Sequence, residues 1–448
     1  MSDSIPRRLP APAQDRMIYS SRCGQHEHAN FVLTFDGRLD ARRLRDAMRL
    51  AMDAEPVFGC RYVPGRKPHW ERRTDLDSLP LCTLTETGNF SRELERFVAT
   101  PCDGTRDPLL STCIVRGETD ALFFKTSHLA ADGAGCKELL SLVAGFFRDP
   151  KRATHRAVPN VGSRGAGQLF SQTGWRECLR ILRQPTHKRA KDIWCFPTVN
   201  RHDSGGLRFV LRRLEPATFD ALRVFGKRFD ATLNNVFVAA CFRALWRFLD
   251  FPPAIPQSIV IPTDARQYLR HGRTEAICNF TAPLHATIER ITDEPFDQTL
   301  TRIRNCPLAG PARRERALAA LFWISVLYHL SRSRVERSFE AALKGPSSQV
   351  VFTNVGAFDP DQFDFGVPLT DIYRISQAAT APGLLIAVSS FRRKLTFAIN
   401  YPSRAIRPED IERFFDIFIE ELQSAAEATL SPATPETAHP APHLPNRR

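Results

Sequence analysis

Residues 123–135, with the sequence FFKTSHLAADGAG, change their hydrophobic period at His128. The preceding residues 121–127 form a β-prone run, and residues 136–147 place their large apolar side chains on one helical face. The pattern therefore predicts a strand, a glycine-containing loop and a helix, with one imidazole at the carboxyl end of the strand. Such strand ends are where α/β proteins place ligands and catalytic groups, because a rigid sheet fixes the side chain while the loop opens onto a crevice.

His128 is a candidate general base. An imidazole titrates near neutrality, so it can take a proton from an attacking hydroxyl or amine and return it to a leaving group. Asp132 lies in the following loop, where its carboxylate could pair with an arginine, and Gly133 permits close backbone approach. On spacing alone a structural interpretation stays open, because Asp-Gly is common turn chemistry and a lone histidine after a buried strand is often only hydrogen-bonded.

Strand-like and helix-like segments alternate around this stretch. Strands are predicted at residues 28–35, 57–63, 81–85, 111–116 and 121–127, and helices at residues 40–53, 91–98 and 136–147. This alternation predicts an α/β N-terminal lobe over residues 1–150.

A C-terminal lobe with the same alternation is predicted over residues 207–430. Its strands are predicted at residues 207–214, 258–262, 279–288, 349–353, 371–376, 384–390 and 395–401, and its helices at residues 217–229, 232–249, 317–330 and 408–425. Residues 151–206 are rich in proline, glycine, arginine and serine, which predicts a connector. Residues 431–448 are proline-rich and are predicted to be a disordered tail.

The 448 residues carry a formal net charge of +13. Such an excess attracts polyanions or acidic surfaces. The densest basic clusters, residues 312–316 and 331–337, are accompanied by no recognised nucleic-acid-binding motif, so no nucleic-acid partner is predicted. An acidic carrier protein, a phosphate-bearing thioester carrier or solvated basic helix faces would each account for the charge.

The eleven cysteines are scattered singly, which favours a reducing compartment. Cys23, His26 and His28 lie close together, but no fourth ligand is evident, so no metal site is predicted. The sequence contains no apolar stretch long enough to span a membrane, and residues 1–15 have prolines and charges where a secretory signal needs an apolar run. We therefore expect a cytoplasmic protein without a membrane span.

Several short motifs resemble one family in their order and spacing. HLAADG (128–133) is similar to the His-x-x-x-Asp-Gly signature of the condensation-domain and chloramphenicol-acetyltransferase-like superfamily of acyltransferases. Further elements that resemble this superfamily are DPLL (107–110), TLNNV (232–236), IPTDAR (261–266), CNF (278–280) and FTNVG (352–356).

The resemblance implies an α/β fold of two pseudo-related, chloramphenicol-acetyltransferase-like lobes with a central tunnel. An acyl-CoA or acyl-carrier-protein thioester and a small alcohol or amine would meet at His128, the general base, and no bound cofactor is implied. Asp132 is the second catalytic residue of the motif, and we expect it to pair with Arg266 and hold the loop. Other implied binding or structural residues are Gly133, Asn279, Thr353 and Asn354, of which the last two are candidate hydrogen-bond donors to an oxyanion.

The sequence departs from the family pattern at two places. Ser127 stands where many members have a second histidine, and the proton-transfer role maps to His128. Residues 108–110 and 234–235 differ from the wax ester synthase branch, which is therefore disfavoured. The chain has no Gly-x-Ser-x-Gly elbow, so direct transfer is expected, and Cys136 is predicted to pack rather than attack.

Two alternatives to a stand-alone acyltransferase remain open. One is an amide-forming condensation enzyme that acts on carrier-bound substrates, which the basic charge would suit. The other is a catalytically silent condensation-like module that binds a ligand or a partner. Candidates for side chains that line the tunnel are Phe31, Trp194, Phe280 and Phe391.

Overall fold

The computed structural model describes residues 5–21, 28–149, 159–184, 195–200, 205–306, 310–330, 333–335, 337 and 350–430. The strands are β1 (Arg8–Pro10), β2 (His28–Phe35), β3 (Cys60–Val63), β4 (His69–Arg72), β5 (Cys82–Glu86), β6 (Leu110–Arg116), β7 (Asp120–Ser127), β8 (Leu207–Leu214), β9 (Gln257–Asp264), β10 (Thr281–Ile288), β11 (Val350–Phe358), β12 (Leu369–Ile375), β13 (Leu384–Phe391) and β14 (Lys394–Pro402). The helices are α1 (Ala13–Ser21), α2 (Ala41–Ala54), α3 (Phe90–Ala99), α4 (Gly133–Arg148), α5 (Gly167–Phe170), α6 (Trp175–Arg183), α7 (Pro216–Arg228), α8 (Leu233–Leu249), α9 (Phe296–Asn305), α10 (Gly310–Leu330) and α11 (Pro408–Leu430).

The first sheet has the strand order β12-β2-β7-β6-β5. β2 and β7 pair antiparallel, with His28 opposite Ser127 and Phe31 opposite Phe124. Every residue of β7 is buried, because both faces of the sheet are covered. Helices α2 and α4 pack against each other and share one hydrophobic core with β2 and β7. This arrangement gives the carboxyl end of β7 a rigid setting.

Asp132 ends the loop after β7 and begins α4. Its side chain accepts a hydrogen bond from the backbone N–H of Gly135 at 2.9 Å, which makes it the N-cap of the helix. Aspartate is among the residues preferred at this position, because its oxygen satisfies a backbone donor that the first turn leaves free. The helix therefore begins at Gly133 rather than at the predicted residue 136.

The second sheet has the strand order β10-β9-β11-β13-β14-β8. β11 runs parallel to β9 and β13, and the remaining pairs are antiparallel. Helices α8 and α11 pack on one another and share a second hydrophobic core with this sheet. The register of β11 shifts between Asn354 and Gly356, a bulge of the kind that re-aims side chains next to functional sites.

β12 joins the two halves of the chain. It lies within the range predicted for the C-terminal lobe, yet it pairs antiparallel with β2 of the first sheet, with Arg374 opposite Phe31. It also packs against β13 of the second sheet, and Tyr373 and Ile375 share a core cluster with Ala398 of β14. This pairing covers the edge of β2, whose backbone N–H and C=O groups would otherwise be unpaired. Residues 207–430 therefore do not form a lobe made of the second sheet alone.

The predicted α/β class with two sheet-based halves is confirmed, and the strands at 28–35 and 207–214 have the predicted bounds. Elements that the sequence did not predict are β1, β4, α1, α5 and α9. The two strands are short and α1 is mostly polar, so these three elements carry no clear hydrophobic period. No helix within the described ranges is long and apolar enough to cross a membrane.

Several predictions lie wholly or partly outside the described residues. The tail at 431–448, Cys23, His26 and Trp194 fall there entirely, and the connector at 151–206 and the basic cluster at 331–337 fall there in part.

Candidate active site

A cavity of about 580 Å³ opens where the two sheets approach each other. Its wall combines side chains of the first half of the chain with side chains of β9, β10, β11 and β12. Predicted site residues that line it are His128, Asp132, Gly133, Asn279, Thr353 and Asn354. Residues from distant parts of the sequence therefore meet around one space, at the end of β7.

His128 is partly exposed on the cavity wall. Its Nδ1 atom is buried and has no hydrogen-bond partner within the described residues, which leaves Nε2 as the nitrogen available to a molecule in the cavity. Burial lowers the pKa of His128, and the charge of Arg374 lowers it further. The imidazole is therefore neutral at neutral pH, the state that a general base requires.

Asn279 fixes the backbone around His128. Its Nδ2 group donates to the carbonyl oxygen of His128 at 3.1 Å, to that of Leu129 at 2.9 Å and to Oδ1 of Asp15 at 3.0 Å. The loop from the first half of the chain is thus attached to a residue just before β10. Asn279, a predicted site residue, therefore positions the loop that carries His128.

A buried ion pair between Asp15 and Arg164 supports the same loop, and the sequence did not reveal it. Arg164 donates to Asp15 at 2.7 Å and to the carbonyl oxygen of Ala130 at 2.7 Å. Trp70 Nε1 also donates to Asp15, at 2.8 Å. Burial raises the pKa of Asp15, although the charge of Arg164 acts in the opposite direction. Both residues lie in polar segments without a periodic pattern, so no local signal marks them.

Asp132 is buried and bonded entirely to the chain itself. Besides capping α4, its carboxylate accepts from the N–H of Phe280 at 2.6 Å and from the hydroxyl of Thr281 at 2.8 Å. Burial alone would raise the pKa of Asp132, but the charge of Arg266 and these hydrogen bonds lower it to about 2. Its carboxylate is therefore ionised and held in place.

The predicted ion pair between Asp132 and Arg266 is present. Arg266 donates to Asp132 at 3.0 Å, to Asp264 at 3.1 Å and to the carbonyl oxygen of Cys278 at 2.7 Å. Burial acts to lower the pKa of Arg266, yet the charges of its two carboxylate partners raise it. The guanidinium joins the end of β9 to the start of α4, across the two halves of the chain.

Thr353 and Asn354 lie on β11 and face the same cavity as His128. Asn354 Oδ1 accepts from the N–H of Gly356 at 2.8 Å, which shapes the bulge, and its Nδ2 donates to Asn234 at 3.3 Å. One amide hydrogen of Asn354 and the hydroxyl of Thr353 remain for a ligand. Their role toward an oxyanion stays a prediction.

Cys136 is buried in the first turn of α4. The hydroxyl of Thr126 donates to its sulfur at 3.2 Å, and burial raises the pKa of the thiol. A thiol in this state is a poor nucleophile, because the thiolate is the reactive form. Among the described residues no group of three or more histidine, cysteine, aspartate or glutamate side chains could hold a metal ion.

Arg374 of β12 lines the cavity and was missed by the sequence analysis. It packs so closely on the start of α4 that a Cβ atom on Gly133 would lie 2.3 Å from its Nη1. A larger residue at position 133 would therefore displace this guanidinium. Three of the aromatic residues expected to line the tunnel, Phe31, Phe280 and Phe391, instead lie in hydrophobic cores and do not face this cavity.

No protein-family model and no curated protein matches the chain. Solved structures do match it over almost its whole length. The epimerization domain from the third module of tyrocidine synthetase B aligns with a TM-score of 0.67 and 14% sequence identity, over 96% of this chain and 98% of that one. The first condensation domain of the CDA synthetase aligns with a TM-score of 0.66 and 17% identity, over 96% and 98% of the two chains.

A polyketide synthase associated protein has the same fold. Polyketide synthase associated protein 5 from Mycobacterium tuberculosis aligns with a TM-score of 0.60 and 15% identity, over 93% of this chain and 98% of that one. The chain therefore adopts the two-lobed fold of condensation domains, and the resemblance drawn from the short motifs is confirmed at the level of the fold.

Proposed function

We propose that the chain is an acyltransferase that moves an acyl group from an acyl-CoA or acyl-carrier-protein thioester to a hydroxyl or amine acceptor. The observation that carries this proposal is the His128 imidazole on the cavity wall, with a lowered pKa and a backbone held by Asn279. A neutral, fixed imidazole next to an open space is the arrangement that general-base catalysis needs.

The proposed step is a direct transfer. The acceptor oxygen or nitrogen attacks the thioester carbonyl carbon while Nε2 of His128 takes the acceptor proton. The tetrahedral intermediate then breaks its carbon–sulfur bond, and the proton passes from His128 to the departing sulfur, which gives a free thiol and an ester or amide. Thr353 and Asn354 donate to the oxyanion in this scheme. The buried, protonated thiol of Cys136 supports a mechanism without an acyl-enzyme.

The other motif residues act in this proposal by positioning. Asp132 and Arg266 hold the loop between β7 and α4, since each is buried and bonded to the other. Gly133 admits Arg374 beside the loop. None of these contacts passes a proton to the substrate.

The second candidate is a condensation enzyme whose substrates are bound to carrier proteins, because the net charge of +13 suits an acidic carrier protein. In that case the chain would form amides or esters on carrier-bound substrates.

The test is to incubate the purified protein with acyl-CoA donors and acyl-loaded carrier proteins, each with pooled alcohols and amines, and to follow free thiol and product mass. We expect turnover with at least one donor class, and a loss of about a hundredfold or more in His128→Ala, the usual scale for a general base. The matched control is His271→Ala, since His271 is exposed and does not line the cavity. Turnover that His128→Ala leaves unchanged, with both variants folded, would contradict the assignment.

A further inference from the structure

One wall of the cavity presents polar atoms that have no hydrogen-bond partner within the described residues. They belong to α1 and to the end of β12, and they are Nε2 and Oε1 of Gln14, Nε of Arg374, Oγ of Ser376 and Oε1 of Gln377. Arg374 and Ser376 occupy alternate positions along the chain and both line the cavity. Buried polar groups are nearly always paired in folded proteins, so a group of unpaired ones on a cavity wall points to a polar ligand.

Arg374 is the charged member of this wall. The residue is 4% exposed, its Nε is buried without a partner, and no ion pair of its guanidinium is found within the part of the chain that the structure describes. Its contact with the ring of Phe31, 5.7 Å from the ring centre, supplies no negative charge. Asp132 is close but already bonded to Arg266 at 3.0 Å. The cation therefore lacks a counter-ion of its own.

An unpaired buried cation is costly. Removing a charged group from water costs several kcal/mol unless an opposite charge and hydrogen bonds replace the lost hydration. A guanidinium does not escape this cost by losing its proton, because arginine stays protonated in proteins. A chain that keeps such a group on a cavity wall gains from it only when an anion is bound.

A second cation faces the same space. Lys137 of α4 lines the cavity and donates to the carbonyl oxygen of Ala357 at 2.7 Å. Burial, aided by the charge of Arg374, lowers the pKa of Lys137 to about 8. The repulsion between the two cations would fall if an anion lay between them. These two cations share the cavity wall with the carboxylates of Asp132 and Asp264, which are paired with Arg266, and with that of Glu138.

We propose that Arg374, with Ser376 and Gln14 of the same cavity, binds the carboxylate of the acyl acceptor, so that the acceptor is a hydroxy- or amino-carboxylic acid. This inference rests on the proposed acyl transfer and specifies its substrate class. A guanidinium matches a carboxylate through two parallel hydrogen bonds, and a serine hydroxyl and an amide can take up the remaining lone pairs. The carboxylate held there would keep the acceptor's hydroxyl or amine within the space that His128 faces.

The anion is assigned to the acceptor rather than to the donor. The phosphate of a pantetheine arm is separated from the thioester by the whole length of that arm, whereas Arg374 lies against Gly133, the first helical residue after the loop that carries His128. A donor whose thioester reaches His128 therefore keeps its phosphate away from Arg374. The acceptor is the substrate whose charged group can lie this close to the reaction.

The test compares the binding of mandelate and of mandelamide to the full chain by ligand-observed NMR titration. The two molecules share their shape and their hydroxyl, and only mandelate carries a charge. We expect mandelate to bind ten- to a hundredfold more tightly, about the value of a charge-assisted hydrogen bond. In Arg374→Met this preference should disappear, and in Arg374→Lys it should persist in part.

The matched control is Arg407→Met, which removes an exposed arginine outside the cavity and should leave the preference intact. Equal binding of the two molecules by the wild type, or an unchanged preference in a folded Arg374→Met variant, would overturn the inference. Binding needs no thioester, so the acyl-transfer proposal can fail in its own assay while the carboxylate site stands. Conversely, turnover with neutral acceptors that Arg374→Met leaves unaffected would reject this inference alone.

Discussion

Two buried arginines lie next to the loop between β7 and α4, and they differ in whether the chain supplies a counter-ion. Arg266 has two carboxylate partners and a carbonyl oxygen, all within 3.1 Å. Arg374 lies against Gly133 at the start of α4, and its guanidinium has no such partner within the described residues. A buried charge that the chain neutralises serves the fold, whereas one that the chain leaves unpaired is available to a ligand. The same residue type therefore has two roles within one site.

The largest expected effect is on the free energy of unfolding, which should change in opposite directions when each arginine is replaced. Arg266→Met leaves Asp132 as a buried carboxylate without its main counter-charge, so the free energy of unfolding should fall by about 3–5 kcal/mol. Urea unfolding followed by circular dichroism measures this change. Arg407→Met, which removes only an exposed arginine, should give little change. If Arg266→Met lowers the free energy of unfolding no more than the control does, Arg266 does not have the structural role assigned to it.

Arg374→Met should stabilise the protein rather than destabilise it. The substitution replaces an unpaired buried cation by an apolar side chain of similar length, so the free energy of unfolding should rise by about 1 kcal/mol. The same urea experiment measures it. If Arg374→Met instead destabilises the protein as much as Arg266→Met does, both arginines stabilise the fold and the proposed difference between them is wrong.

The smallest expected effect is on the pH dependence of catalysis. Burial and the charge of Arg374 hold the pKa of His128 below its usual value of 6.5. Because the base must be unprotonated, kcat/KM should fall on the acid side with a midpoint below pH 6.5 in the wild type. Removing the positive charge in Arg374→Met takes away one cause of the lowered pKa, so the midpoint should move upward.

The pH profile of Arg374→Lys provides the comparison for this prediction, since lysine keeps the charge. Its acid-side midpoint should stay close to that of the wild type. A midpoint that moves equally in Arg374→Lys and Arg374→Met would show that packing rather than charge sets the pKa of His128.

The same comparison shows what the sequence could predict. The change of period at His128 is local, so the strand, the loop and the helix after it were predicted correctly. The Asp132–Arg266 pair was predicted because both residues lie in motifs that resemble one family. Arg374 carries no local signal, because it reaches the loop only through the pairing of β12 with β2, far away in the sequence.

The supporting network around Asp15 and Arg164 was not predictable for a related reason. Asp15 lies in a short polar helix and Arg164 in a segment read as a connector, so neither belongs to a periodic pattern. Their ion pair and the bond from Arg164 to the carbonyl oxygen of Ala130 exist only once the chain has folded. Contacts of this kind depend on tertiary structure rather than on spacing.

The most direct measurement for the account is the thermal unfolding midpoint of the wild type and of Arg374→Met, each with and without saturating mandelate. A ligand that binds only the folded state stabilises it, so we expect mandelate to raise the midpoint of the wild type and to leave that of Arg374→Met unchanged. Without ligand, the variant should unfold at the same temperature as the wild type or above it. A variant that unfolds earlier and gains as much from mandelate as the wild type would contradict the assignment of Arg374 to a ligand.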